Sequence, residues 1–397
     1  MMAAGRAGEL GAKVVLLEKN RKLGRKLLLT GNGRCNLTQA EFDLPELVAR
    51  YGKSGKFLFP AFHLFGPRQV MEFFESRGLP LKIESGGKVF PKSDHAGDVL
   101  AVLENYLRQG KVEIRYGAPV TLIGHEAGEI KYVWAADQRI EGRSFILATG
   151  GRSYPETGSQ GNGYRWLKEL GHKVVEPRPA LTPLKVKEKW AASLQGLSLE
   201  KVGASLEQAG KKKCETIGPV LFTHFGMSGP AILDLSKLAG ELRDRGEVKL
   251  VLDFKPELSA QAIEERLLAI LSASPNQMLK NALSGLVAAR LAEALTRLAR
   301  IAPEKKAHAV SRQERKVLAG LVKRTELTVS SLPGFDKAMV TTGGCELSEI
   351  DPNTMRSRII RNLFLAGELL NLDGPSGGYN LQLCWSTGRL AGINSIE

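Results

Sequence analysis

Apolar positions recur along this chain with two periods, and the alternation between them lays out its elements. Met1 to Leu10 is alanine-rich with Gly5 and Gly8, Gly11 ends it, and Val14-Val15-Leu16-Leu17 follows as an unbroken apolar run. A helix and then a buried strand is the reading. Small residues let that helix pack close against a sheet, as the first helix of a dinucleotide-binding βαβ unit must. Helical spacing returns over 67–77, through Val70, Phe73 and Phe74, and over 94–109, through Val99, Leu100, Leu103 and Leu107. Val112 to Tyr116 alternates as a strand does. Segments 120–123, 130–135 and 139–140 predict a β-meander, and Ser144 to Ala148 another buried strand.

Composition shifts near Pro177, Pro179 and Pro183. From about 186 to 255 the pattern is β-like, ending in the alternating Val248 to Phe254. It then turns helical, through Ile263, Leu267 and Leu271 and later Leu283, Leu291 and Leu295, with breaks at Pro275 and Pro303. After 331 come Gly-rich loops, a strand at Leu363-Phe364-Leu365-Ala366 and a closing helix from about Leu383 to Asn394. The expected division is 1–185, a β-rich insert 186–255, a helical insert 256–330, and 331–397 as the return of the first domain. The fold class expected is α/β.

Over 397 residues, 56 Lys+Arg stand against 42 Asp+Glu, a net charge of +14. Two stretches hold most of the excess. One runs from Arg6 through Lys13, Lys19, Arg21, Lys22, Arg25 and Lys26 to Arg34; the other from Arg297 to Arg324. Such charge suits nucleic acid, an anionic membrane surface or a phosphate-bearing ligand. No RNP-type, KH-type or zinc-finger motif accompanies either stretch, so nucleic acid is not the expected partner, and the second stretch reads as a solvated helix face. No apolar run approaches the roughly 20 residues of a membrane span. Cys35, Cys214, Cys345 and Cys384 are scattered and never form CxxC, which points to a reducing, cytoplasmic setting. His63, His95, His125, His172 and His308 lack metal-ligand spacing, and no metal is expected.

The glycines change the picture. Lys22-Leu23-Gly24-Arg25-Lys26 leads into Thr30-Gly31-Asn32-Gly33-Arg34-Cys35-Asn36-Leu37-Thr38. Gly31 and Gly33 permit close backbone approach, while Arg25, Lys26 and Arg34 supply charge for a pyrophosphate. The loop follows a strand closed by Glu18, next to Lys19, where an acid accepts hydrogen bonds from a ribose. A second apolar strand ends Ala148-Thr149-Gly150-Gly151, where a flat cofactor can approach the backbone. A third delivers Gly367 and Glu368, an acid for a ribityl hydroxyl, and then Asp373-Gly374-Pro375-Ser376-Gly377-Gly378-Tyr379-Asn380-Leu381. Backbone N–H groups there, at the start of the last helix, suit phosphate or a flavin carbonyl.

The Gly31-to-Thr38 loop, Thr223-His224-Phe225-Gly226-Met227-Ser228-Gly229-Pro230, Thr342-Gly343-Gly344 and the Gly374-to-Leu381 segment resemble one bacterial flavoprotein family. It is that of the aminoacetone-oxidase-like and 3-dehydro-bile-acid Δ4,6-reductase-like enzymes, and the resemblance covers essentially the whole chain. It implies a glutathione-reductase-type Rossmann FAD domain interrupted by a β-barrel-like and a helical insert. It further implies non-covalent FAD, with Glu18 at the adenosine ribose and Val120 at the adenine through its strand. Arg25, Lys26, Gly33, Arg34 and Cys35 would line the cofactor and Thr149-Gly150 flank it. Gly367, Glu368 and Gly377 to Leu381 would reach the ribityl chain and isoalloxazine. The family begins with a strand and a G-x-G-x-x-G fingerprint that residues 1–397 do not contain. The expectation is that Met1 or Met2 is internal to a longer protein, and that the 397-residue form has severely reduced FAD affinity.

The function expected is an FAD-dependent oxidoreductase that reduces an unsaturated or enone-type small organic substrate with hydride from NAD(P)H. No second nucleotide fingerprint is present, so NAD(P)H as donor rests on the resemblance. Two alternatives stay open: a flavin oxidase of a small amine, and an inactive or nucleic-acid-binding remnant that uses the basic helical insert. Tyr379, after a glycine doublet expected near the flavin, is the candidate proton donor, and His224 a second candidate acid or base. Cys35 reads as packing or cofactor contact rather than a redox thiol, because no partner cysteine is near in sequence.

Overall fold

The apolar run before Glu18 forms the strand Val15–Glu18, paired in parallel with Glu113–Tyr116 so that Val15 lies opposite Glu113 and Glu18 opposite Tyr116. This arrangement comes from a computed structural model describing residues 1–397, which divide into one unit of 1–179 with 335–397 and another of 180–334.

In the first unit the helix Met2–Glu9 packs against Ala96–Gln109 and against the last helix, Tyr379–Asn394. Small residues make this possible: a Cβ on Gly5 would enter the Tyr106 ring, and one on Gly392 would meet the Ala3 carbonyl. A second parallel pair joins Phe145–Leu147 to Leu363–Leu365, with Phe145 opposite Leu363. These strands come from distant parts of the chain, as a sheet rebuilt after an insertion requires. The expected meander is present as Val120–Glu126, Glu129–Ala135 and Gln138–Glu141. Phe364, 1% exposed, lies in a core with Leu363, Leu365, Leu369, Trp166 and Leu167; truncating it to Ala would cost about 3–5 kcal/mol.

The second unit is a closed six-stranded barrel. Its strands, in hydrogen-bonded order, are Leu184–Val186, Gly226–Ser228, Lys211–Thr223, Ser198–Gln208, Lys249–Asp253 and Thr325–Ser331. Val220, Phe222, Leu206, Leu250, Leu252 and Leu327 fill its core. Closure needs the last strand, Leu250 opposite Leu327, so β and helical parts interleave instead of following one another. The stretch read as β-rich also holds a 14-residue helix, Pro230–Arg243. Pro230 sits at its first position and Ile232, Leu235, Ala239 and Leu242 lie on its buried side, a helical period averaged away among the surrounding strands. The helices Ala260–Ala273, Ala289–Leu298 and Arg312–Lys323 pack with one another. No helix in the chain is long and apolar enough to cross a membrane.

Candidate functional site

The three glycine-bearing segments converge within the first unit. Gly378, in the left-handed region (φ 100°), lies so close to the Thr38 main chain that a Cβ there would collide with the Thr38 carbonyl. Trp385 Nε1 donates to the Leu37 carbonyl at 2.9 Å and Thr38 Oγ1 to Gln382 Oε1 at 2.5 Å, fastening the loop after Gly31 to the last helix. A Cβ on Gly151 would overlap Thr341 and the Glu368 carboxylate, which brings the second segment onto the third.

At the junction stands a polar cluster. Lys26 Nζ donates to Glu368 Oε2 at 2.8 Å and to Ser153 Oγ at 2.7 Å, and the Thr341 N–H donates to Glu368 Oε1 at 2.6 Å. Thr341 Oγ1 accepts from the Arg152 and Ser153 N–H groups at 2.7 and 3.2 Å. Sequence reading named Lys26 and Glu368 but missed Ser153 and Thr341. Thr341 directly precedes the Thr-Gly-Gly motif at 342–344, the one signal available for it.

Glu18 stands at the end of its strand, with Oε1 accepting from the Asn20 N–H at 2.8 Å and Asn20 Nδ2 at 2.9 Å. Arg25 donates to Asn20 Oδ1 at 3.2 Å, and Lys19 to Gln160 Oε1 and Asn162 Oδ1 at 3.2 and 3.4 Å. Asn20, Gln160 and Asn162 therefore join this end of the site, and nothing in the sequence singled them out. The Arg34 guanidinium bridges Glu84 and Asp94 and covers the Phe90 ring at 4.0 Å. Cys35 is fully buried, and burial pushes its thiol up to about 12, so it packs and does not act as a thiolate. Val120 is half-buried in the meander opposite Ala135.

The loop before the last helix is held by its own side chains. Asn380 Oδ1 accepts from the Gly374 N–H, and Nδ2 donates to the Gly374 and Pro375 carbonyls at 2.9 and 3.2 Å. Thr342 Oγ1 donates to Asp373 Oδ1 at 2.8 Å. Tyr379 is buried, its carbonyl accepting from Tyr51 Oη at 2.7 Å, with the two rings edge-to-face at 6.2 Å. The helix begins on Gly378, which offers no side-chain cap, so the positive end of its dipole remains available at Gly377 to Leu381. His224 belongs to the second unit, exposed in the turn between Lys211–Thr223 and Gly226–Ser228, its ring edge-to-face with Phe225 at 4.7 Å.

Residues 1–394 match the family described as the HI0933-like protein Rossmann domain. The chain belongs to that family. It is 36% identical over 389 residues to the 3-dehydro-bile acid delta(4,6)-reductase of Clostridium scindens, covering 97% of this chain and 93% of that one. It is 27% identical over 394 residues to the ribosomal RNA dihydrouridine synthase of Escherichia coli, covering 98% and 93%. Among solved structures, the open conformation of a flavocytochrome c3 fumarate reductase superposes with a TM-score of 0.53 at 15% identity, over 99% of this chain and 76% of that one. That likeness is one of fold. As a member of the HI0933-like family, the chain is an FAD-dependent oxidoreductase.

The residues present fit FAD. Asn36 Oδ1 is buried without a hydrogen-bond partner, a defect of about 1–3 kcal/mol that a ligand donor would relieve. Gly31, Gly33, Gly150, Gly377 and Gly378 all have positive φ, leaving main chain free of side chains along the converging loops. One further cluster, His172, Cys345 and Glu349, gathers potential metal ligands within 4.8 Å. Ser357 Oγ accepts from the Ile359 and Ile360 N–H groups and so gives its own hydrogen to His172 Nε2 at 2.9 Å. That leaves the ring proton on Nδ1, donated to Glu349 at 3.1 Å, and the imidazole turns an N–H rather than a lone pair toward the cluster.

Proposed function

We propose that this enzyme reduces a carbon–carbon double bond conjugated to a carbonyl, with NAD(P)H as the electron donor. The observation that carries this reading is the operation shared by two relatives spanning the whole chain. A dihydrouridine is a uridine whose ring double bond, conjugated to a carbonyl, has been saturated. A Δ4,6 bile acid with a 3-keto group presents the same electronic arrangement. In uridine and at the Δ4 bond, hydride adds to the carbon β to the carbonyl and a proton to the α carbon. At the Δ6 bond, conjugated through Δ4, hydride adds to the δ carbon and a proton to the γ carbon. In each case one π bond is lost while NAD(P)H becomes NAD(P)⁺.

FAD, when bound, supplies the relay of hydride; this chain supplies position, charge and a proton. Glu18, fixed by Asn20, would hold the adenosine ribose, and Lys19 and Arg25 the charge beside it. Lys26 and Glu368 would reach the pyrophosphate and ribityl chain from their shared cluster with Ser153. Gly150 and Gly151 would admit the cofactor against bare main chain. The uncapped helix start at Gly378 would offer electropositive N–H groups to negative charge on a bound flavin. Tyr379 is the candidate proton donor to the α carbon, oriented by Tyr51 through its main chain and its ring.

The test is anaerobic reduction of the FAD-loaded protein by NADH or NADPH, followed in separate cuvettes by a 3-keto-4-ene steroid, a uridine-containing RNA and oxygen. Reoxidation by either conjugated compound, slowed at least tenfold in Tyr379→Phe, supports the reading. Rapid reoxidation by oxygen alone, with both conjugated compounds inert, points instead to an amine oxidase.

A further inference from the structure

The last helix, Tyr379–Asn394, turns polar as well as apolar side chains into the protein. Gln382, Ser386 and Thr387 are each 0% exposed. They bond to segments far away in sequence. Gln382 Nε2 donates to the Phe65 carbonyl at 2.9 Å and to Ser386 Oγ, one turn on, at 2.8 Å. Ser386 Oγ donates to the same Phe65 carbonyl at 2.6 Å, and Thr387 Oγ1 accepts from the Gly367 N–H at 3.0 Å.

Counting hydrogens fixes the direction of each bond. An amide oxygen can only accept, so the bond between Thr38 and Gln382 uses the single hydroxyl hydrogen of Thr38. Both hydrogens of Gln382 Nε2 go to Phe65 and Ser386. Turning the amide over would set its oxygen against the Phe65 carbonyl, so the group has one orientation. One side chain thereby ties the Gly31-to-Thr38 loop to the turn at Phe65 across the last helix. Thr38 is itself 0% exposed, so water has no access to replace the amide as its partner.

The reach of this bond comes from what stands on the far side of Thr38. Its main chain lies so close to Gly378 that no Cβ fits between them. In a close-packed contact a shift on one side is passed to the other. We propose that Gln382 is a positioning residue for FAD, acting through Thr38 to hold the Gly377–Gly378 main chain in place for the cofactor. Gln382 is too deeply buried to touch the cofactor itself. The proposal rests on the placement of FAD against the Gly31-to-Thr38 loop and Gly377 to Leu381. It does not depend on conjugate reduction, because neither substrate nor NAD(P)H enters its test.

The experiment compares the full chain with Gln382→Met, Thr38→Val and their double variant, which remove hydrogen bonds at nearly constant volume. Ser386→Ala is the control, because it breaks the same buried network on the Phe65 side alone. FAD affinity is measured by flavin fluorescence, and amide hydrogen exchange over 374–383 in flavin-free protein. Thermal melting reports on the fold. In Gln382→Met and in Thr38→Val, FAD should bind at least about tenfold more weakly and exchange should quicken by a similar factor. The double variant should be no more than about twofold worse than either single, because both substitutions remove one link. At saturating FAD the visible circular dichroism of bound flavin should change alike in these variants. Ser386→Ala should melt lower yet keep affinity, exchange and dichroism. Exchange is read without flavin and decides the matter at any affinity; should Gln382→Met not fold, Thr38→Val carries the same expectation. Multiplying losses in the double variant, an equal loss in Ser386→Ala, or unchanged affinity and exchange in Gln382→Met would overturn the proposal. If Gly378→Ala loses flavin while Gln382→Met retains it, the cofactor placement stands and only the role of Gln382 falls. Retention by both removes the placement as well.

Discussion

Lys26 Nζ lies 2.8 Å from Glu368 Oε2, a contact across 342 positions of sequence that joins two of the three glycine-bearing segments. Both side chains are largely shielded, at 29% and 14% exposure, and Ser153 and the Thr341 N–H complete the cluster. Lys26→Met leaves Glu368 with two neutral partners, so stability should fall by about 1–3 kcal/mol. FAD retention after dialysis should fall as well. Glu368→Gln keeps an acceptor for Thr341 and should lose less stability while still losing cofactor. Denaturant titration beside the absorbance of bound flavin separates the two effects.

Gly378→Ala tests the close approach of the last helix to Thr38. The new Cβ meets a carbonyl, and φ at 100° strains any side chain. A loss of about 3 kcal/mol or more is expected, with flavin content per chain reduced. Gly86→Ala, also at positive φ but with open space around it, should show the strain without the cofactor loss.

His172 gives stability a pH dependence. Burial holds its imidazole below the ordinary value, although Glu349 pulls the other way. In the unfolded chain it titrates near 6.5. Above that, both states are neutral and the contribution is fully present. As pH falls below about 6.5 the unfolded state takes the proton first, and stability declines until the folded pKa is passed. The denaturation midpoint should drop between pH 7 and 5 more steeply than in His172→Gln. Parallel curves for the two proteins would remove His172 as the source.

Thiol chemistry should be quiet. Cys35, Cys345 and Cys384 are each pushed up to about 12 by burial, and Cys214 is raised in the same sense. Cys214 and Cys384 are both half-buried rather than fully buried. With a disulfide-exchange reagent at pH 8, the folded protein should show at most one reacting thiol, abolished by Cys214→Ala. All four should react in denaturant. A fast second thiol would contradict the raised titration of the other three.

The α/β fold and its barrel insert were legible because strand and helix periods survive in short windows, as at Val15–Glu18 and Ala96–Gln109. The helix Pro230–Arg243 was not, since its pattern sits between long strands and is diluted by them. Site residues divide along the same line. Gly31, Gly378 and Glu368 announce themselves through local motifs. Asn20, Ser153 and Gln160 owe their places to partners far away in sequence. Arg34 shows the converse: local context reads as a pyrophosphate cation, yet acids at positions 84 and 94 hold its guanidinium.

The close approach of Gly378 to Thr38 carries a consequence for how the protein is made. Its two sides are encoded near opposite ends of the chain, with the whole barrel unit translated between them. At about 5–20 residues per second, the N-terminal loop waits tens of seconds on the ribosome for its counterpart. The contact that fastens the Thr38 loop to the last helix can therefore form only after the finished polypeptide is released.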